Sequence, residues 1–319
     1  MITLPLPLIQ ALQVLTIMVG APAISGVIAQ VEGRLQGRRG PRILQPYYDL
    51  AKYFHKESLA PEGASAFFLA APLISFACYL AVPLLIPVLT TFPLPLGNMG
   101  DILGGGIVLG LASFIVAIAS AETGDAYAQL GSSRSRTFGA ITEPVVLLVV
   151  FSVGLLTATD LPYALAGTVM SGPEQIVRPA HLLAAAALFM VILFETARIP
   201  VETHSGTLEL GMIEHARTFE HSGPYMALLT WGSSAKQFVF YTLFINVFAA
   251  PWGLATSGRL DAVALAMVSL FVKALALGII VAVIDNTFAK LRLFKITEFV
   301  SAAFLLAVLA IFTLYLGGG

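Results

Sequence analysis

Between Asp261 and Asp285 the chain reads AVALAMVSLFVKALALGIIVAVI, with Lys273 as its only ionisable residue. A run of this kind is long enough to cross roughly 30 Å of bilayer hydrocarbon, which takes about 20 helical residues. Seven further apolar runs lie near 6–29, 66–90, 102–121, 138–158, 180–197, 235–254 and 296–316; the one quoted counts as 262–284. Helix is the expected form, because lipid offers no partner for open backbone groups. The strict alternation of a lipid-facing barrel strand is missing. Composition agrees: 58% of the 319 residues are hydrophobic and 11% charged, against about 25% charged in soluble domains. The sequence thus predicts an all-α integral membrane protein, a single polytopic domain over 1–319 with about eight transmembrane helices.

The formal net charge of −1 leaves no basic stripe for nucleic acid. The single cysteine, Cys78, can neither close an internal disulfide nor ligate an iron–sulfur cluster. GxGxxG, Walker and HExxH patterns are all missing, so no active site is expected on this chain and no cofactor or metal is expected to bind it. No Lys or Arg precedes Arg34, so the first apolar run is expected to be a retained span rather than a secretory signal. The basic residues take sides. Arg34, Arg38, Arg39, Arg42, Lys52, Lys56, Arg134, Arg136, Arg198, Arg217, Lys236, Lys290, Arg292 and Lys295 fall in the odd loops; Arg178 and Arg259 fall in the even ones. By the positive-inside rule the odd loops face the cytoplasm and both termini face outward. The two long cytoplasmic loops, about 30–65 and 198–234, are expected to form a docking face.

Charge at membrane depth costs about 2.5–3.5 kcal/mol on insertion scales, so it marks function or pairing. Lys273 is too central to snorkel and must face protein or water. It serves either charge movement or a structural ion pair, with Glu143 or Glu122 as partner. Glu143 lies just inside the fourth run, in FGAITEPVVLLVVF. Glu122 and Asp125 close the third run, Glu195 the fifth and Asp285 the seventh. Carboxylates drawn partly out of water exchange protons nearer neutrality. Gly106 and Gly110 form a GxxxG pair that reads as ordinary helix packing.

The stretch ETARIPVETHSGTLELGMIEHARTFEHSGP, 195–224, crowds acids against the end of an apolar run. Glu195 and Arg198 stand three apart and would pair on one helix face. Glu202 and Glu209 are seven apart; Glu214, Arg217 and Glu220 step by three. Such a row suits a hydrated proton path, or a charged loop that binds a partner. His204, His215 and His221 lack metal spacing and are expected to hydrogen-bond, relay protons or meet the partner. In the first loop, Arg34, Arg38, Arg39 and Arg42 would meet lipid headgroups or a partner. Asp49 and Lys52 follow on an amphipathic YYDLAKYFHKE segment.

RRGPRILQPYYDLAKYFHKE, ETARIPVET…LEL…EHSGP, WGSSAKQ and IDNTFAKLRL together resemble the membrane subunit shared by respiratory complex I and the energy-converting group 4 NiFe-hydrogenases. AETGDAYAQLGSSR and VETHSGTLELGMIEHA are closer to the hydrogenase and formate hydrogenlyase branch. Glu202 stands where the family has Asp, and His221 where it has Tyr.

The resemblance implies the all-helical fold of that complex I membrane subunit and a prokaryotic inner-membrane location. It implies three partners: a hydrogenase-like large subunit, an iron–sulfur small subunit, and antiporter-like membrane subunits. NiFe and iron–sulfur clusters would sit on those partners. It implies an anchoring and coupling role that links electron transfer to proton or Na⁺ translocation, with Glu143, Glu195, Glu209, Glu214, Glu220 and Arg198 near the junction. The alternative is a quinone-chamber subunit of an NADH:quinone oxidoreductase-like complex.

Overall fold

The computed structural model describes residues 3–97, 99–157, 159, 161–164, 167, 176–198, 213–288 and 293–316. Its described helices are α1 (Leu6–Leu35), α2 (Gln45–Phe54), α3 (Ala66–Leu85), α4 (Ile102–Glu122), α5 (Ala126–Thr157), α6 (Pro179–Glu195), α7 (Glu214–Thr218), α8 (Gly223–Leu243), α9 (Leu260–Thr287) and α10 (Leu293–Leu316). A π-helical segment, Phe244–Ala249, continues α8. The helices start where caps direct. The Ser65 hydroxyl accepts from the Phe67 amide at 3.0 Å, Asp101 from Gly104 at 2.6 Å and Asp125 from Ala128 at 2.7 Å.

Among the described residues six helices, α1, α3, α4, α5, α9 and α10, are long and apolar enough to cross a membrane; the expectation of eight is corrected to six. The fifth run forms α6, which at 17 residues is shorter than those six and at the lower limit of a span. The sixth run does not begin at 235: its helix starts at Gly223 and carries Lys236 and Gln237 inside it. That helix need not be apolar, because it touches protein rather than lipid. α8 packs on α1, α2, α3, α6 and α9, and its residues from Ala235 to Leu243 are all buried. Around it run α9, α1, α3, α4, α5 and then α6 with α10, each packed on the next. The expected loop 198–234 is correspondingly shorter.

The second run, expected to span to residue 90, stops at Leu85, where Pro83 and Pro87 remove backbone donors. The exposed backbone is satisfied by buried side chains. Gln13 of α1 donates to the Pro83 and Ile86 carbonyls at 2.5 and 3.0 Å and accepts from the Leu89 amide at 3.2 Å. Asn246 of the π segment donates to the Pro87 and Val88 carbonyls at 3.0 and 3.2 Å. Irregular backbone at membrane depth survives only when protein groups replace water in this way.

Chain alternation sorts the loops to two ends. Gln36 donates to Asn286 at 2.9 Å, Ser222 bonds Leu59, and the Ser65 amide donates to Glu122 at 2.9 Å, all at the end that carries the arginine-rich first loop. Thr3 pairs with Arg259, and Thr90 with Ala255, at the other.

Candidate functional site

At the basic end a cavity of about 190 Å³ opens between α4, α5, α6, α7 and α8. Glu143, Glu195, Glu214, Arg217 and Lys236 all reach its wall. Each arrives by a local device. Glu195 is the last residue of α6. Lys236 sits mid-way along buried α8, where its ammonium pairs with Glu195 and also donates to the Ser113 hydroxyl at 3.2 Å. Arg217 is on the short α7, which lies against α5 because Gly131 leaves room: a methyl group there would stand 2.5 Å from the Ala216 Cβ. Arg217 pairs with Glu214 at 2.6 Å, one turn back, and donates to the Ser135 hydroxyl at 3.2 Å; its own carbonyl accepts from Ser120.

Arg217 and Lys236 are each only 5% exposed. Charges this far from water persist only with close counter-charges. Burial alone pushes the Glu214 carboxyl up, but Arg217 and then Lys236 beside it hold it below its ordinary value. Three carboxylates and three cations, Arg136 being the third, thus line the cavity. Glu195 and Glu214 each hold one cation, and Glu143 stands outside both pairs: it lies within electrostatic range of Glu195 and Lys236, and no hydrogen bond or ion pair engages it among the described residues. A change of charge at Glu143 would thus break neither ion pair. The cavity is roomy enough for several waters.

A second polar group lies on the other side of α8. Arg198, 3% exposed, pairs with Glu32 of α1. Gln237 donates to the Tyr241 hydroxyl at 3.1 Å, and Ser25 donates to Gln237 at 3.2 Å. Tyr241 lies within electrostatic range of Arg198, Glu32 and Asp285. Lys236 and Gln237, neighbours in sequence, thus each serve one of the two groups.

Several expectations change. Glu195 and Arg198 do not share a helix face. α6 ends at Glu195 and Ala197 takes a left-handed φ of 53°, so the chain turns and each residue finds another partner. Lys273 pairs with neither Glu143 nor Glu122: its ammonium donates to the carbonyls of Ala250, at 2.9 Å, and Trp252. The loop after the π segment folds back into the bundle and meets α9 at mid-length, a feature that apolar runs do not encode. His221, expected to meet the partner, is buried within this chain. It is 6% exposed and stacked on Phe68, ring centroids 4.2 Å apart.

Glu122 is exposed and caps the backbone of Ser65; Glu220 lies between α7 and α8, outside the helical row. Arg34, Arg38, Arg39, Arg42, Lys52 and His215 are exposed, and Asp49 accepts from Gln45 at 3.0 Å. Glu202, Glu209 and His204 lie outside the described residues. Sequence reasoning missed Lys236, counted only as a loop charge although WGSSAKQ contains it, and Glu32, which lies 166 positions from its partner.

The NADH dehydrogenase family profile matches residues 9–316. Formate hydrogenlyase subunit 4 of Escherichia coli strain K12 is 29% identical over 97% of this chain and 97% of its own length. Hydrogenase-4 component C of the same strain is 27% identical over 93% and 92%. A subunit of the NADH-quinone oxidoreductase of Chelativorans sp. strain BNC1 is 29% identical over 64% and 65%. In structure, a chain of the membrane-bound sulfane sulfur reductase, an archaeal respiratory membrane complex, superposes with a TM-score of 0.78 over 97% of this chain and 99% of that one, at 18% identity. With a fold of apolar helices around a buried acid–base cluster, and a profile that spans nearly its whole length, this chain belongs to the NADH dehydrogenase family of membrane subunits.

Proposed function

We propose that this chain is the membrane anchor and coupling subunit of a hydrogenase-type, complex I-related assembly. The observation that carries the reading is the charge arrangement around the cavity: two ion pairs with buried cations and one carboxylate outside them, at the end where the exposed arginines gather. The names of the two full-length relatives support the hydrogenase type. A hydrogenase-like large subunit and an iron–sulfur small subunit dock on the basic end, which faces the cytoplasm of a prokaryotic inner membrane and leaves both termini outside. Antiporter-like subunits lie alongside. The NiFe and iron–sulfur clusters belong to the docked partners.

Coupling then needs no chemistry on this chain. A unit charge arriving about 10 Å from a carboxylate, at an effective dielectric near 20, changes its energy by about 1.7 kcal/mol, roughly one pK unit. That changes the proton-binding constant of Glu143 about tenfold in each redox cycle. The ion pairs at Glu195 and Glu214 hold the cavity's charges in place, and the neighbouring subunits carry the ion, H⁺ or Na⁺, onward.

In the assembled complex, Glu195→Gln is expected to leave dye-linked turnover of the docked redox module intact and to abolish ion movement across sealed vesicles. Undiminished ion movement would overturn the assignment. The similarity to a subunit of NADH-quinone oxidoreductase favours a second reading, a quinone chamber; a quinone extracted in stoichiometric amount from the purified complex would establish it.

A further inference from the structure

Gly106 and Gly110 stand one turn apart on α4, which packs on α5, yet they are not equivalent. A methyl group at position 106 would meet Leu147 at 3.4 Å and Val146 at 3.6 Å, both ordinary contacts. A methyl group at position 110 would meet Glu143: its Cδ at 3.0 Å, its Oε1 at 3.1 Å and its Cγ at 3.3 Å. On α5 itself Gly139 precedes Glu143 by one turn, and a methyl group there would stand 3.7 Å from the same Oε1. Helical side chains lean back over the preceding turn. Glu143 therefore lies back over Gly139 and across to Gly110, in space that two absent side chains leave open.

We propose that Gly110 is a positioning residue: it is the seat that fixes where the Glu143 carboxylate stands in the cavity. The inference rests on the coupling role given to Glu143 above. What a methyl group at 110 would strike is the free end of a flexible side chain, not backbone. The fold yields there easily, and alanine is the better helix former. The Glu143 side chain, however, must give way by a few tenths of an ångström and so shifts its carboxylate against Glu195 and Lys236. The second glycine of an apparent packing motif thereby acquires a part in the proton site, and the first does not.

The test uses the assembled complex in sealed vesicles. Gly110→Ala is expected to assemble, to keep dye-linked turnover, and to lower the ions moved per electron several-fold. Gly106→Ala is expected to leave that ratio unchanged. Glu143→Asp shortens the side chain by one methylene, so Gly110→Ala with Glu143→Asp is expected to recover part of what Gly110→Ala alone loses. An independent readout is the rate at which dicyclohexylcarbodiimide modifies Glu143, followed by mass spectrometry; Gly110→Ala is expected to change it and Gly106→Ala to leave it alone. Equal damage from both glycine variants would show general helix packing and overturn the proposal. So would a Gly110→Ala complex with the wild-type ratio and wild-type labelling. If Glu143→Gln itself keeps the full ratio, the coupling reading fails, while the labelling rate still decides the seat.

Discussion

The two ends of the bundle treat charge in opposite ways. At the basic end acid meets base: Glu195 with Lys236, Glu214 with Arg217 and Glu32 with Arg198, each with a largely buried cation. Away from it, at mid-length of α9, Lys273 goes to two backbone carbonyls, and at the other end the ion pair Arg259–Asp261 is exposed, with side-chain accessibilities of 37% and 66%. Carbonyl dipoles hold a lysine but do not titrate. Carboxylates do. The region that only closes a loop, from mid-bundle to the far end, uses neutral acceptors or solvated charge, and the end assigned to coupling concentrates groups that can change charge.

The contrast can be broken by mutation. Lys236→Met removes the partner of Glu195 from a buried site and is expected to cost about 3–5 kcal/mol, the range for breaking a buried pair. A fall in the thermal unfolding midpoint of the purified complex measures it, and Glu195→Gln added to Lys236→Met should recover much of the loss. A negligible effect would mean that water reaches the pair freely.

His221 sharpens the comparison from within the basic end, since it is buried without a counter-charge. Neither ring nitrogen has a hydrogen-bond partner among the described residues, and burial pushes its pKa down to about 4. The neutral ring is therefore the folded form. An unfolded histidine, with pKa near 6.5, binds the proton more readily, so this part of the stability is complete above about 6.5 and is lost as pH falls toward 4. The loss amounts to about 3 kcal/mol at most. His221→Phe keeps the stack on Phe68 and removes the titration; unfolding midpoints between pH 7 and 4 should then fall less steeply than in the wild type. Parallel curves would remove His221 from the account.

The smaller effect belongs to Lys273, at mid-length of α9. Lys273→Met leaves the Ala250 and Trp252 carbonyls without this donor and is expected to cost about 1–3 kcal/mol while ion movement per electron stays at the wild-type value. Loss of ion movement without loss of stability would place Lys273 on the path and dissolve the contrast between the ends.

What the sequence made legible follows from how each feature is encoded. The helices that face lipid announce themselves as apolar runs, so α1, α3, α4, α9 and α10 begin within a few residues of expectation. α8 did not, because a helix enclosed by protein can carry Lys236 and Gln237, and a charged residue in a hydropathy reading marks an end. The acids of the site were visible as acids near the ends of apolar runs. Their partners were not. Lys236 reaches Glu195 across 41 positions and Arg198 reaches Glu32 across 166, and local periodicity holds no record of either. The turn at Ala197 that separates Glu195 from Arg198 falls on a non-glycine residue in the left-handed region, which composition gives no reason to expect. Gly110 was readable as a packing glycine; that a carboxylate fills the space above it needed coordinates.

The central claim is that Glu143 is the proton site through which the redox module drives ion movement. Its most direct test is the number of ions moved per electron pair by the complex with Glu143→Gln, in sealed vesicles, with dye-linked turnover measured on the same preparation. The account predicts wild-type turnover and a ratio near zero. A Glu143→Gln complex that turns over and moves ions at the wild-type ratio would contradict it.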